Sequence, residues 1–375
     1  MEQKILQIID TSNNGGAEKH TKLIAAQFSR IGFDVYFIFP PGPFSFEFHR
    51  LSSLGLKCFE MDFRKNIITF IHSIIKIRRL IKSRGILYIH SHQYLADFMA
   101  CVSTLCLKNR KKFSTIHFLL KHHECSLIKR LQMYICSLWS YHCMNYVFAV
   151  SEYARDVSKR YFLLPNLKIR TIHNGIEPLE LSQDNRLAKI FSKNYNISSL
   201  DTCILCIGRL DHAKGQDVLI RAMSKYKGQK SFKLLLLGDG AQKARYQKMA
   251  ENLNLSNKVI FPGYQEKIAI WYSMSHIFVH PSRHEALSRS ILEAMYMKIP
   301  VIVSDIPSNK EIIKNLRTGL VYSCESDASL LSSIEFVINN PITVSQMVDK
   351  AFQVVKQNHT IHVMVQKMSK YFSIN

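Results

Sequence analysis

The sequence predicts an α/β protein built from two doubly wound, Rossmann-like parallel-sheet domains. Three observations carry this reading. A chain of 375 residues is too long for one comfortable hydrophobic core and suits two domains of ordinary size. Short apolar, β-branched runs alternate with helical patterns along its length, as in buried parallel strands joined by crossover helices. The same unit of strand, glycine turn and helix also begins twice, near residue 4 and again near residue 202.

Residues 4–9 alternate as a strand and run into Asn13, Asn14, Gly15 and Gly16, after which Ala17, Leu23, Ile24, Gln27 and Phe28 recur at helical spacing. Paired glycines make either a plain tight turn or a place where backbone approaches a ligand, with the helix behind aiming free N–H groups at it. The turn is not G-x-G-x-x-G, which argues against a nicotinamide enzyme. Residues 35–39, 87–90, 113–117 and 146–150 read as further strands. Ligands of such sheets gather at the strands' carboxyl ends, where His90, His92 and His117 fall. His117, closing FSTIH, reads as functional; His90 and His92 read equally well as structural.

Residues 179–201 are polar and irregular and are expected to link domains 1–178 and 202–357. The second domain opens with a strand at 202–207, the turn Gly208, Arg209, Leu210, then Lys214 and Gly215 before a helix from about 216 to 226. Residues 234–237 lead into Gly238, Asp239 and Gly240, and 259–263 form another strand and turn. The stretch 277–305 then reads strand, loop, helix, strand, with Glu285 just before the helix and Glu293 two turns inside it, facing back. Helical patterns at 344–355 and 361–372 close the chain.

At 47% hydrophobic and 21% charged residues the composition is that of an ordinary globular protein. No apolar run approaches the roughly 18–20 residues that span a bilayer, and the start of the chain lacks a signal pattern, so a cytoplasmic location is expected. The nine scattered cysteines suit reduced thiols; Cys203 and Cys206 lie in an apolar strand and read as core. His122, His123, Glu124 and Cys125 read as a solvated helix start, since no second spaced ligand pair exists for a metal. The net charge of +22 is uneven: residues 64–130 carry 14 basic side chains against Asp97 and Glu124. Within them IHSIIKIRRLIKSRG interleaves isoleucines with Lys76, Arg78, Arg79 and Lys82, an amphipathic basic helix suited to an anionic membrane surface. Nucleic acid is the other polyanion such a field attracts, but no aromatic-interleaved patch or recognition motif accompanies it.

With Pro281, Ser282, Ala294, Met295 and Pro300 around them, Glu285 and Glu293 resemble the E-x7-E signature of retaining, GT-B-fold glycosyltransferase family 4. The segments AVSEYARD, IHNGIE and GRLDHAKG resemble further landmarks of that family in the same order. The resemblance implies two domains facing across a cleft, with the final helix of about 358–375 packed on the first. It implies transfer of a sugar from a nucleotide-sugar, such as a UDP- or GDP-sugar, to an acceptor hydroxyl with retention and without a metal or other cofactor. Glu293 would bind the ribose, Glu285 the donor-sugar hydroxyls, and Arg209 with Lys214 the diphosphate. Gly238 and the backbone of Ala286 and Leu287 would line the donor pocket, and His117 with the Gly15–Gly16 turn would act from the first domain. Two fixed cations beside a helix start can hold a leaving diphosphate, which makes the main catalytic effect electrostatic. No carboxylate pair stands as nucleophile and acid, so no covalent intermediate is expected.

Two departures stand out. Ala286, Leu287 and Ser288 follow Glu285 where many members carry glycine and an aromatic residue, and Lys298 and Ile299 precede Pro300 where glycine is common. The reading expected is a hexosyl- or N-acetylhexosaminyl-transferring enzyme on the inner face of the cell membrane, extending a lipid-linked or oligosaccharide acceptor in O-antigen, capsule or exopolysaccharide assembly. A nucleotide-sugar epimerase or a phosphorylase of the same architecture is the alternative within the fold, and a nucleic-acid-binding protein the alternative outside it.

Overall fold

The computed structural model describes residues 3–11, 16–42, 48–117, 119–120, 125–179 and 185–372. The chain divides into two compact units, residues 1–177 with 361–375, and residues 178–360.

The first unit holds β1 (Lys4–Ile9), β2 (Asp34–Phe39), β3 (Lys57–Glu60), β4 (Tyr88–His92), β5 (Lys111–Ile116), β6 (Tyr146–Ala149) and β7 (Ile169–Thr171). They form one sheet in the order β3-β2-β1-β4-β5-β6-β7, parallel at every pairing. Ile5, Leu6, Ile8 and Ile9 are all fully buried, the two-sided burial that a parallel sheet covered by helices imposes. The strand order reverses between β1 and β4, and opposite Ile9 stands His92. Strand β4 therefore runs two residues past the end read from the sequence, because His90 and His92 pair with Phe113 and Thr115 of β5. Strands β3 and β7, absent from the sequence reading, are an edge strand with exposed ends and a three-residue strand, too short to show a pattern.

The helix Ile361–Phe372 belongs to this unit: Met364, Val365, Met368 and Phe372 are buried in its core, and the Phe372 ring lies 4.1 Å from that of Phe113. Each such fully buried side chain is worth roughly 1.5–3 kcal/mol, enough together to hold a segment so distant in sequence.

The second unit holds β8 (Thr202–Ile207), β9 (Phe232–Leu237), β10 (Val259–Gly263), β11 (Ile277–His280), β12 (Val301–Ser304) and β13 (Leu320–Tyr322) in a parallel sheet, order β10-β9-β8-β11-β12-β13. Its order reverses between β8 and β11, and the loops after those two strands form the site described next. Cys203 and Cys206 are buried. The stretch 179–201 contains a helix, Asn185–Asn194. Its Phe191, with Tyr195 just beyond it, packs against the ring of Trp271 at 5.2 and 5.3 Å, so a tryptophan far along the chain orders a segment whose composition reads as linker.

Candidate active site

The turn after β8 is held from several sides. Asp211 caps the 3₁₀ turn His212–Lys214, accepting from Lys214 N at 3.1 Å, and holds Arg209 Nη2 at 3.0 Å. Gly215 follows at φ +67°, where a Cβ would come within 2.1 Å of Pro281 O. Only glycine lets this turn lie against the loop after β11. At the end of β9, Gly238 (φ +131°) meets Gly208 O in the same way, a Cβ there falling 2.0 Å from it.

Arg283 fastens the two loops together. Its guanidinium forks onto Asp217, at 2.9 Å and 2.8 Å, bonds His212 O at 2.6 Å, and pairs with Glu325. Burial pushes the Asp217 carboxyl up, but the bonds from Arg283 and Arg221 outweigh it and hold the group down to about 2. A bidentate, mostly buried fork of this kind sets orientation as well as charge.

Glu285 is the meeting point. Its Oε1 accepts from the Lys214 ammonium, from His280 Nε2 at 3.1 Å and from Ser282 Oγ at 3.2 Å, while Ser282 Oγ lies 3.0 Å from the same His280 nitrogen. Burial raises the carboxyl, yet the Lys214 charge and the His280 bond prevail and keep it far below the usual carboxylate range. His280, buried beside it, is also lowered from its ordinary value, but there burial is the cause and outweighs the bond to Glu285. The arrangement is an ionised carboxylate in a nearly dry pocket beside a cation, able to accept hydroxyl donors.

Glu293 has a separate set of partners. It lies in the helix Arg289–Tyr296, with Oε2 3.1 Å from the Tyr272 hydroxyl and Oε1 3.2 Å from Arg289 Nη2. Ala286 and Leu287 are buried. Arg209, by contrast, keeps 77% of its side chain exposed and pairs with Asp211. The structure thus brings Lys214 to Glu285, sets Gly238 beneath Gly208, and leaves Glu293 and Arg209 with partners of their own.

In the first unit, His117 follows β5. Its Nε2 lies 2.9 Å from Nδ1 of His92, whose Nε2 lies 3.0 Å from Gln7 Oε1. His90 bonds Thr115 Oγ1 at 2.8 Å. Gly16 opens the helix Gly16–Arg30; Gly15, His122, His123 and Glu124 lie outside the described residues. Ser151 caps the helix Glu152–Tyr161 by accepting from Ala154 N at 2.9 Å, and Gly175 N donates to Met364 Sδ at 3.2 Å.

Sequence reasoning missed His280, Ser282, Arg283, Asp217 and Tyr272. His280 was within reach, since it ends a strand as His117 follows one; Asp217 and Tyr272 gain their roles only from packing.

The helix Ile67–Arg84 turns Ser73, Ile77 and Ile81 inward, which leaves Ile67, Ile68, Ile71 and Ile75 exposed beside Lys76, Arg79 and Lys82. A second helix, Leu127–Cys143, exposes Leu127, Ile128, Leu131 and Ile135, with Ile128 83% accessible. Phe98 links the two helices, stacking on Phe70 at 6.2 Å and meeting Trp139 at a tilt at 5.2 Å. No helix among the described residues is long and apolar enough to cross a membrane.

The family described as Glycosyltransferase Family 4 matches residues 14–178, and Glycosyl transferases group 1 matches residues 188–354. An uncharacterized glycosyltransferase of Methanocaldococcus jannaschii is 26% identical over 67% of this chain and 66% of its own length. The O-antigen biosynthesis glycosyltransferase WclY of Escherichia coli is 24% identical over 71% of this chain and 73% of that enzyme. The crystal structure of Anabaena HepE in complex with UDP-glucose superposes with a TM-score of 0.84, at 18% identity, over 99% of this chain and 100% of that one. With both halves of the chain matched and two Rossmann-like parallel sheets in place, the chain belongs to the family 4, group 1 glycosyltransferases of GT-B fold.

Proposed function

We propose that this glycosyltransferase moves a hexosyl or N-acetylhexosaminyl unit from a nucleotide-sugar to an acceptor hydroxyl with retention, and that the acceptor is a lipid-linked glycan of bacterial surface polysaccharide. The observation that carries the donor assignment is the partly buried Lys214–Glu285–His280 cluster at the strand-order reversal of the second unit. Glu285 accepts hydrogen bonds from the sugar hydroxyls, Lys214 and Arg209 take the diphosphate charge, Glu293 anchors the ribose, and Gly238, Ala286 and Leu287 line the pocket. His117 and the Gly15–Gly16 turn serve the acceptor side. The departing phosphate takes up charge beside fixed cations and draws the acceptor proton on the same face. The residues assigned here need no metal or other cofactor.

The lipid reading rests on the two exposed apolar helix faces beside a strongly basic segment, a combination that suits the interface of an anionic bilayer. It places the enzyme at the inner face of the membrane, with no role for nucleic acid. The O-antigen relative and the UDP-glucose in the structural neighbour make UDP-sugars and polyprenyl-linked acceptors the first reagents to try. Transfer assays over a donor panel, with product anomers read by NMR, test the reaction. An inverted product overturns retention, and turnover without acceptor incorporation favours an epimerase. Flotation with anionic vesicles at low salt tests docking, and a protein that stays at the bottom of the gradient counts against it.

A further inference from the structure

The first unit contains a buried side-chain relay whose geometry bears on the proton of His117. Gln7 sits in the middle of β1 and His92 at the end of β4, both fully buried. Strands β1 and β4 are paired in register, Gln7 opposite His90 and Ile9 opposite His92, which brings Gln7 Oε1 to 3.0 Å from His92 Nε2. The other nitrogen of His92 lies 2.9 Å from His117 Nε2, and the two rings stack at 27° with centroids 5.2 Å apart.

An amide oxygen can only accept, so His92 Nε2 carries a hydrogen and donates it to Gln7. A neutral imidazole then has a lone pair on Nδ1, and burial favours the neutral ring at His92. His117 Nε2 must therefore carry the hydrogen in the link between the two histidines, which leaves its own lone pair on Nδ1.

We propose that Gln7 and His92 are positioning residues that fix His117 as its Nε2–H tautomer, so that Nδ1 is the nitrogen that accepts a hydrogen bond from a substrate hydroxyl during transfer. The inward link is unchanged when His117 is protonated, because the imidazolium still donates through Nε2. His92 does the orienting work that a carboxylate performs in a serine hydrolase triad, but as an uncharged dipole. It fixes the tautomer without adding the full negative charge that would favour the imidazolium. Among the described residues, His20, with its ring 5.3 Å from His117, and His90, 4.3 Å from His92, are titratable rings packed on the relay. His20 is itself held by Met364 Sδ at 3.1 Å.

The role at His117 rests on the reaction proposed above, but the tautomer can be read without it. Long-range proton–nitrogen NMR of ring-labelled full-length protein at pH 8 is expected to show His117 with a protonated Nε2 and an unprotonated Nδ1. Gln7→Leu is expected to mix that signal with the other tautomer and to lower kcat by roughly tenfold or more while leaving the donor KM unchanged. Gln7→Glu keeps the acceptor but adds a negative charge, so it is expected to retain the protonated Nε2 of His117 while favouring the imidazolium. A protonated Nδ1 at His117 in the wild-type protein overturns the proposal even if Gln7→Leu fails to fold, as does a Gln7→Leu spectrum identical to wild type. If the tautomer is as assigned but His117→Ala transfers sugar at the wild-type rate, the role of His117 falls and the relay stands.

Discussion

Lys214 and Glu285, 71 residues apart, form one partly buried ion pair, tying the cation of the first loop to the carboxylate of the second. Their side chains keep only 20% and 11% of their surface exposed, so neither is well solvated once its partner is gone. Removing one member of such a pair costs far more than the pair contributes. Lys214→Met is expected to lower stability by about 3–5 kcal/mol, read from urea unfolding. Adding Glu285→Gln should recover part of that loss while transfer stays abolished. A double variant as unstable as the sum of the singles would mean the pair is not coupled.

The glycines of the two turns test how tightly the loops are packed. Gly215→Ala must adopt φ +67° and push a methyl against Pro281 O, and Gly238→Ala meets Gly208 O at φ +131°. Both contacts are with backbone, which cannot swing aside. Each variant is expected to lose on the order of 2 kcal/mol or more and to weaken nucleotide binding, measured by calorimetry. Gly208→Ala is the control. Its Cβ would meet the flexible stem of Lys214 at 3.6 Å, an ordinary contact, so stability should hardly change.

How much of this was legible in the sequence depends on where each residue's role comes from. Strands β8 and β11 and the helix Ile361–Phe372 are visible because full burial leaves unbroken or 3.6-periodic apolar runs. Lys214 and Glu285 are visible through family motifs, and the sequence contains no sign that they touch. Arg283 looks like a surface cation until Asp217, His212 O and Glu325 gather around it. Gln7 is a polar residue inside an apolar run, and only the register of β1 against β4 shows what it faces. The helix Asn185–Asn194 escaped because its order comes from Trp271, far along the chain, rather than from its own composition.

Tyr272 bears on whether Glu293 anchors the nucleotide. Its hydroxyl is 3.1 Å from both Glu293 Oε2 and Ser290 O, and the ring is fully buried. Tyr272→Phe removes a bond to a charged acceptor, worth roughly 1.5–3 kcal/mol, and leaves Glu293 with Arg289. Donor KM and the dissociation constant of the free nucleotide are both expected to rise several-fold, with kcat little changed. An unaltered nucleotide affinity would detach Glu293 from the donor.

Asp97 offers a pH test in the first unit. It is fully buried, Ser91 donates to its Oδ1 at 2.7 Å, and burial, only partly offset by that bond, pushes its carboxyl up to about 8 from an ordinary 3.8. A folded-state value above the unfolded one means that the group's contribution is complete below about pH 4 and is lost as pH rises toward 8, since the unfolded chain ionises first. Asn at this position can still accept from Ser91 and never titrates. The melting temperature of Asp97→Asn should therefore gain on wild type as pH climbs from 5 to 9, each unit of separation between folded and unfolded values adding on the order of 1.4 kcal/mol. Asp10, raised by burial to about 7 and near enough to push Asp97 up further, has the same sign of shift and titrates in both proteins. Melting curves at pH 5 and pH 9 decide it, and an equal gap between the two proteins at both values would show that Asp97 is ionised in the folded state throughout.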